Sequence, residues 1–219
     1  MFFRTPESIA RLKDAPKQNG EGNCWPALLC TFEFGNRVSL EELAIKLGTT
    51  AKNGTDTSRV IEFLGSPWYA EANCTSDRLI KAMTSLPKQV RIYTTVFCGR
   101  YTEAFPQLKK DKFEAHVVAP LQILLDDDGY PWVQFYDPDS YRGGVLQMPL
   151  GLWWYWWHDG PGSKTGPNRE ISSAEIDGNF KRFMLVTGVD RRTVHELIGK
   201  PGGSGWSRTI VTNLNAASC

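Results

Sequence analysis

Helix signals fill the first 88 residues, whereas the chain from about residue 89 onwards reads as a series of β-strands. The first half predicts four helices, each with a capping residue or a stop signal. They are Cys24 to about Phe34, SLEELAIKLG with the capping box Ser39-x-x-Glu42, TDTSRVIEFLG capped near Thr55 or Thr57, and TSDRLIKAMTSL capped near Thr75 and closed by Pro87. Asn23 is a good N-cap for the first of them, and Pro26 fits its first turn.

The second half is predicted to be mainly antiparallel β-structure. QVRIYTTVF is followed by AHVVAPLQILL and YPWVQFY, and the turn DDDG between the last two predicts a long hairpin. VLQMPL and FKRFMLVTGV predict two more strands, DRRTVHELIG a late helix, and KPGGSG a flexible joint. The chain is therefore predicted to be an α+β domain over residues 1–199, with a helical lobe at 1–88, a β lobe at 89–199, a cleft between them and a tail at 200–219.

Composition narrows the function classes. The 219 residues include 25 basic and 24 acidic side chains, a balance that gives no reason to expect a nucleic-acid partner. The N-terminus lacks a signal-peptide apolar core, and the longest aromatic run, LWWYWW, is much shorter than the roughly 20 residues that span a bilayer. We expect a soluble, cytoplasmic protein without a membrane span, and export by a route that reads another signal stays open. Its oligomeric state is not predicted.

The five cysteines are scattered and odd in number, which indicates mostly reduced thiols. Cys30, Cys74 and Cys98 are predicted to be core or inert residues. Cys24 differs because it would begin a helix, where unpaired N–H groups and the helix dipole lower a thiol pKa. A nucleophilic cysteine also needs a base.

His116 is the favoured base, because it begins the buried strand HVVAPLQILL. The hairpin would return the segment YDPD beside it, so that Asp137 can orient the imidazole, with Asp139 as the alternative. Gln18, on the loop before Cys24, can add a side-chain N–H to an oxyanion hole. These residues form a candidate catalytic site of nucleophile, base, orienting carboxylate and oxyanion donor.

The same residues carry a family resemblance. Gln18 to Ala27, read as Q-x5-C-W-P-A, resembles the active-site stretch of papain-like cysteine peptidases. NCWPALL with AHVV and YDPD looks most like the bacteriocin-processing, double-glycine branch, a bacterial family with Asp-Cys-Gly-Pro-Ala, His-x-Val and Asp-Pro motifs. The resemblance implies a papain-like fold and the same four catalytic residues without a cofactor. Asn23 and Trp25 replace the usual Asp and Gly, and no transporter segment follows.

The implied activity is cleavage of a peptide or protein amide through an acyl-enzyme thioester. Two alternatives stay open: the same triad could serve deamidation, transglutamination or cell-wall amide cleavage by a bacterial effector, or an inactive papain-like module could bind a partner through an aromatic surface. The run WWYWWH predicts a strand that either packs in the core or presents rings to a ligand. Candidate substrate contacts are Trp25, Trp153, Trp154 and Trp156.

Two weaker features complete the sequence picture. His158 with Asp159 is a rival dyad, ranked below His116, and Gly202-Gly203 could be a self-processing site because double-glycine peptidases cut after such a pair. His195-Glu196 is half of a zinc-protease motif, but position 199 is Gly199 instead of a second histidine, so no metal is expected.

Overall fold

The computed structural model describes residues 4–19, 22–97, 115–139, 144–157, 164–176 and 180–202. Within these ranges it has seven α-helices and seven strands. The helices are α1 Pro6–Arg11, α2 Cys24–Phe32, α3 Leu40–Lys46, α4 Thr57–Leu64, α5 Ser76–Ser85, α6 Leu150–Trp156 and α7 Arg191–Ile198. The strands are β1 Trp68–Ala72, β2 Arg91–Phe97, β3 Ala115–Leu125, β4 Pro131–Asp137, β5 Gly144–Pro149, β6 Arg169–Glu170 and β7 Met184–Thr187.

The strands form one sheet in the order β5-β4-β3-β2-β7-β1-β6, and every neighbouring pair is antiparallel. The predicted hairpin is confirmed: β3 and β4 pair from Ala119 with Tyr136 to Leu125 with Pro131. Its turn closes through hydrogen bonds between Asp126 and both Gly129 and Tyr130. The mixed α+β class is therefore as predicted.

Two apolar clusters cover the two faces of this sheet. One combines residues of α1 to α4 with inward residues such as Tyr93, Val117 and Leu185. The other combines α5, α6 and α7 with the alternate residues of the same strands, such as Ile92, Val118 and Val186. The described helices thus lie on both faces of a shared central sheet.

The predicted division into a helical half and a β half is wrong in two respects. Strand β1 lies in the N-terminal half and is hydrogen-bonded between β7 and β6, whereas helix α6 lies in the C-terminal half in addition to α7, the late helix that the sequence predicts. The sequence pattern does not indicate β1 because the strand contains Glu71, a charged residue that is fully buried. Glu71 pairs there with Arg78 and accepts hydrogen bonds from Tyr69 and Asn168, which offset the loss of its hydration.

The aromatic run is a helix, and its prediction as a strand is also wrong. In a strand, alternate rings would have covered both faces. Helix α6 instead places Trp153, Trp156 and Trp157 along one buried stripe, at the spacing i, i+3, i+4, and leaves Tyr155 outside. None of the described helices is both long and apolar enough to cross a membrane.

Candidate active site

Cys24 is the first residue of helix α2, as the sequence predicts. Asn23 is in the N-cap position, but its side chain donates to Asn19 Oδ1 at 2.9 Å and does not cap the helix. The loop before it is held by Gly22, whose φ is +78° and where an added Cβ would lie 2.5 Å from the Thr50 carbonyl oxygen. Only glycine fits this close approach, so Gly22 fixes how the chain enters α2.

His116 and Asp137 meet at the end of the β3–β4 hairpin. His116 is the second residue of β3, Asp137 is the last residue of β4, and both side chains are buried. His116 Nε2 is 2.7 Å from Asp137 Oδ1, which also accepts the backbone N–H of Asp139 at 2.9 Å. Because Nε2 faces the carboxylate, Nδ1 is the ring nitrogen left for a second partner.

That second partner is Cys24, which shares a side-chain hydrogen bond with His116. The half-buried thiol also receives backbone hydrogen bonds from Val117 and Trp25. The structure therefore brings Cys24, His116 and Asp137 into one hydrogen-bonded chain, although α2 and the hairpin are far apart in sequence.

The electrostatic interactions among Cys24, His116 and Asp137 favour an ion pair of Cys24 with His116. Burial alone would raise the pKa of Cys24, but the hydrogen bond and charge of His116, with the two backbone N–H groups, outweigh it and lower the pKa. Burial alone would lower the pKa of His116, whereas Asp137 and then Cys24 raise it to about 9. These opposite shifts favour the pair of thiolate and imidazolium over the pair of neutral groups.

Gln18 is attached to the same hairpin end. It is 6% exposed, its backbone N–H donates to the Pro138 carbonyl at 2.8 Å, and its Nε2 lies 3.4 Å from Asp139 Oδ2. Tyr136 Oη adds a hydrogen bond to the Pro16 carbonyl at 3.1 Å. The loop that precedes Cys24 is thus joined to this part of the chain by three hydrogen bonds, two from Gln18 to the turn after Asp137 and one from Tyr136 of β4.

The two candidate carboxylates have different partners. Asp137 contacts His116, and Asp139 accepts from Gln18. The sequence pattern indicated Asp139 only as an alternative to Asp137, and it gave no sign of the Val117 N–H that contacts Cys24. The two acidic residues of the DPD motif could have indicated Asp139 from the sequence. A backbone N–H donor such as that of Val117 has no sequence signal.

The four tryptophans predicted to contact substrate lie mostly in the core. Trp25 is buried and packs edge-to-face against Tyr93, with ring centroids 5.2 Å apart. Trp153 and Trp156 are 0% and 1% exposed, within the cluster on the sheet face opposite α2. Rings so fully covered cannot form an exposed ledge, because neighbouring side chains already occupy the contact surface. Trp154 is half-buried, with the Arg182 guanidinium 3.5 Å from its ring centroid.

Several other predicted features can also be placed. Cys30 and Cys74 are buried free thiols in the core. His158, Asp159, Cys98 and Gly203 lie outside the described residues. Among the residues that are described, no three His, Cys, Asp or Glu side chains are grouped so as to hold a metal ion.

Comparison with known proteins adds no relative to this picture. No protein-family model matches the chain, and no curated protein matches it at a significant level. The features of the molecule that indicate a function are therefore the positions of Gln18, Cys24, His116, Asp137 and Asp139.

Proposed function

We propose that this chain is a cysteine amide hydrolase of papain-like type that acts on peptides or proteins. The observation that carries the proposal is the position of His116, hydrogen-bonded to Cys24 on one side and to Asp137 on the other. A structural cysteine needs neither a buried histidine nor a carboxylate that orients it. The lowered pKa of Cys24 also favours an active enzyme over an inactive binding module with the same fold.

Catalysis would begin when the Cys24 thiolate attacks the amide carbonyl carbon. A carbon–sulfur bond forms, and the carbonyl electron pair moves onto oxygen to give a tetrahedral oxyanion. The first-turn N–H of α2 at Cys24 and the Gln18 side chain are the proposed donors to that oxygen. An amide nitrogen carries two N–H groups, so one can hold Asp139 while the second donates to the oxyanion.

His116 would then act as general acid and afterwards as general base. The imidazolium gives its proton to the amine nitrogen as the carbon–nitrogen bond breaks, leaving a thioester on Cys24. The neutral ring next takes a proton from water, whose oxygen attacks the thioester and releases a carboxylic acid and the thiolate. Asp137 stabilises the imidazolium and fixes the ring orientation throughout.

The proposal is tested by covalent labelling with an acylating, thiol-directed peptide probe. The unchanged chain should be labelled at Cys24, and Cys24→Ala and His116→Ala should lose labelling at pH 7. Cys30→Ala and His195→Ala are matched controls, since Cys30 lies on the same helix and His195 lies outside the triad, and both should keep it. Labelling of Cys24 no faster than that of free cysteine would overturn the proposed nucleophile.

The reaction catalysed by the triad is resolved by a substrate panel. Peptides, protein-bound glutamine with and without an added amine, and peptidoglycan fragments share the same thioester chemistry and differ in the group transferred. We expect peptide cleavage, detected as a new amino terminus. Ammonia release without chain cleavage would show that the protein is a deamidase and not a peptidase. Cys24 would remain the proposed nucleophile in that case.

A further inference from the structure

A cavity of about 500 Å³ lies where the β3–β4 turn meets the start of α5 and the junction of β5 with α6. Its walls include the aromatic rings of Tyr130, Trp132 and Trp154, with Pro149 and Leu150 beside them. Cavities of this size hold small molecules. The cavity lies beside the first residues of β4 and Asp137 ends that strand, so about 20 Å of strand separates it from the triad.

The cavity also has a negative charge. Among the described residues that line it, Asp126 is the one with a charged side chain, and Asp127 and Asp128 are exposed in the same turn. The Trp132 indole N–H, followed by the backbone N–H of Tyr130 and that of Asp128, holds the pKa of Asp126 below its ordinary value. The carboxylate is therefore ionised at neutral pH.

The Asp126 carboxylate carries a negative charge but has little remaining capacity to accept hydrogen bonds. Its Oδ1 accepts from the backbone of Asp128 at 3.1 Å and of Tyr130 at 2.8 Å, and its Oδ2 accepts from Trp132 Nε1 at 3.0 Å. A primary ammonium or guanidinium group would lose water there without gaining enough acceptors. A cation that has no N–H group loses much less.

Aromatic faces favour the same kind of cation, because the ring quadrupole attracts positive charge that is weakly hydrated. One face of the Trp154 ring is already covered by the guanidinium of Arg182, so Tyr130 and Trp132 are the rings considered for a ligand. Tyr130 is 67% exposed and Trp132 is half-buried, so their rings are accessible from the cavity.

From these features we infer that the cavity is a binding site for a trimethylammonium group, held by Tyr130, Trp132 and the charge of Asp126. The group can belong to a free solute of the choline type or to a trimethylated lysine side chain. The site acts by binding alone and does not depend on Cys24.

The test follows the Trp132 indole N–H signal by NMR in the full chain carrying Cys24→Ala, with the signal assigned from Trp132→Phe. Choline should shift this signal saturably at concentrations up to about 10 mM, and its uncharged isostere 3,3-dimethylbutan-1-ol and ethanolamine should bind at least about tenfold more weakly. A short peptide with trimethyllysine, compared with choline, shows which source binds more tightly.

Variants separate charge from shape. Asp126→Asn removes the charge at nearly constant size, and Tyr130→Ala removes an exposed ring; each should weaken choline binding about tenfold or more. Tyr155→Ala is the control, because Tyr155 is an exposed aromatic residue of α6 that does not line the cavity. The inference is overturned if choline gives no shift, if the isostere or ethanolamine binds equally well, or if Asp126→Asn binds choline unchanged.

Discussion

At the scale of single residues, the two aspartates of the DPD turn have separate positions. Asp137 Oδ1 is hydrogen-bonded to His116 Nε2, and Asp139 Oδ2 accepts a hydrogen bond from the Gln18 side-chain amide. They are two positions apart in the sequence, and the backbone N–H of Asp139 donates a hydrogen bond to Asp137 Oδ1. Each is therefore expected to influence a different step: Asp137 the protonation of the base, and Asp139 the position of an oxyanion donor.

Replacing Asp137 by Asn should move the high-pH limit of activity downward. The ion pair of the proposed enzyme needs protonated His116, whose pKa Asp137 helps raise to about 9, so the activity of the unchanged chain is expected to fall as pH rises through about 9. Without that charge the pKa falls toward or below its ordinary value, and activity at pH 8 should drop roughly tenfold or more. The measurement is kcat/KM of a peptide substrate between pH 5 and pH 10.

Asp139→Ala is the comparison variant for this profile. It removes the acceptor of Gln18 without removing the partner of His116, so kcat should fall while the high-pH limit stays near 9. If both variants moved that limit equally, the separate assignment of the two carboxylates would be wrong.

Three of the candidate site residues could be predicted because each is a reactive side chain at the end of a recognisable element. Cys24 follows an N-cap signal, and His116 and Asp137 lie at the ends of two strands joined by a strong turn signal. The Gly22 contact and the backbone donor at Val117 were not predictable, since they depend on where distant segments pack. Sequence spacing alone contains no such distance.

At the scale of elements, the largest difference from expectation is helix α6. Single-sequence β-propensity favours a strand for a run of aromatic residues, but burial decides here. The strand β5 ends at Pro149, and a helix then lets Trp153, Trp156 and Trp157 share one apolar surface. The β-propensity of these residues does not predict α6, because neighbouring elements pack against the buried stripe and stabilise the helix.

Trp153→Ala should destabilise the protein strongly. The ring is fully buried and lies 4.9 Å, centroid to centroid, from Phe135 of β4, so its removal leaves a cavity costing about 3–5 kcal/mol of unfolding free energy. Tyr155→Ala, on the 46% exposed residue of the same helix, should cost less than about 1 kcal/mol. Urea unfolding followed by far-UV circular dichroism measures both. Equal costs would show that the stripe is not the packed side of α6.

At the scale of the whole molecule, the sheet unites segments that sequence patterns had assigned to separate lobes. Strand β1 pairs with β7, and β7 pairs with β2, so the N-terminal part of the chain is hydrogen-bonded to strands of the C-terminal part. Strands β2 and β7 also contribute residues to both apolar clusters. Unfolding of one cluster would therefore expose the strands against which the other cluster packs.

The expected consequence is that both faces unfold together. In a Cys24→Ala background, Cys30 reports on the α2 face and Cys74 on the opposite face, and both thiols are buried. Brief thiol labelling at increasing urea should give the same midpoint for each, coincident with the loss of circular dichroism. Different midpoints for Cys30 and Cys74 would show that the two faces of the sheet unfold separately.

The long separation between Cys24 and its hairpin partners also matters while the protein is being made. Synthesis delivers the N-terminal residues first, so the nucleophile leaves the ribosome well before His116 and Asp137. Until the hairpin docks on α2, Cys24 lacks its contacts with His116 and Val117, which lower its pKa, and more of it stays in the protonated, weakly nucleophilic form. In the proposed enzyme, docking of the hairpin therefore completes the active site, so Cys24 gains its reactivity only once the fold is complete.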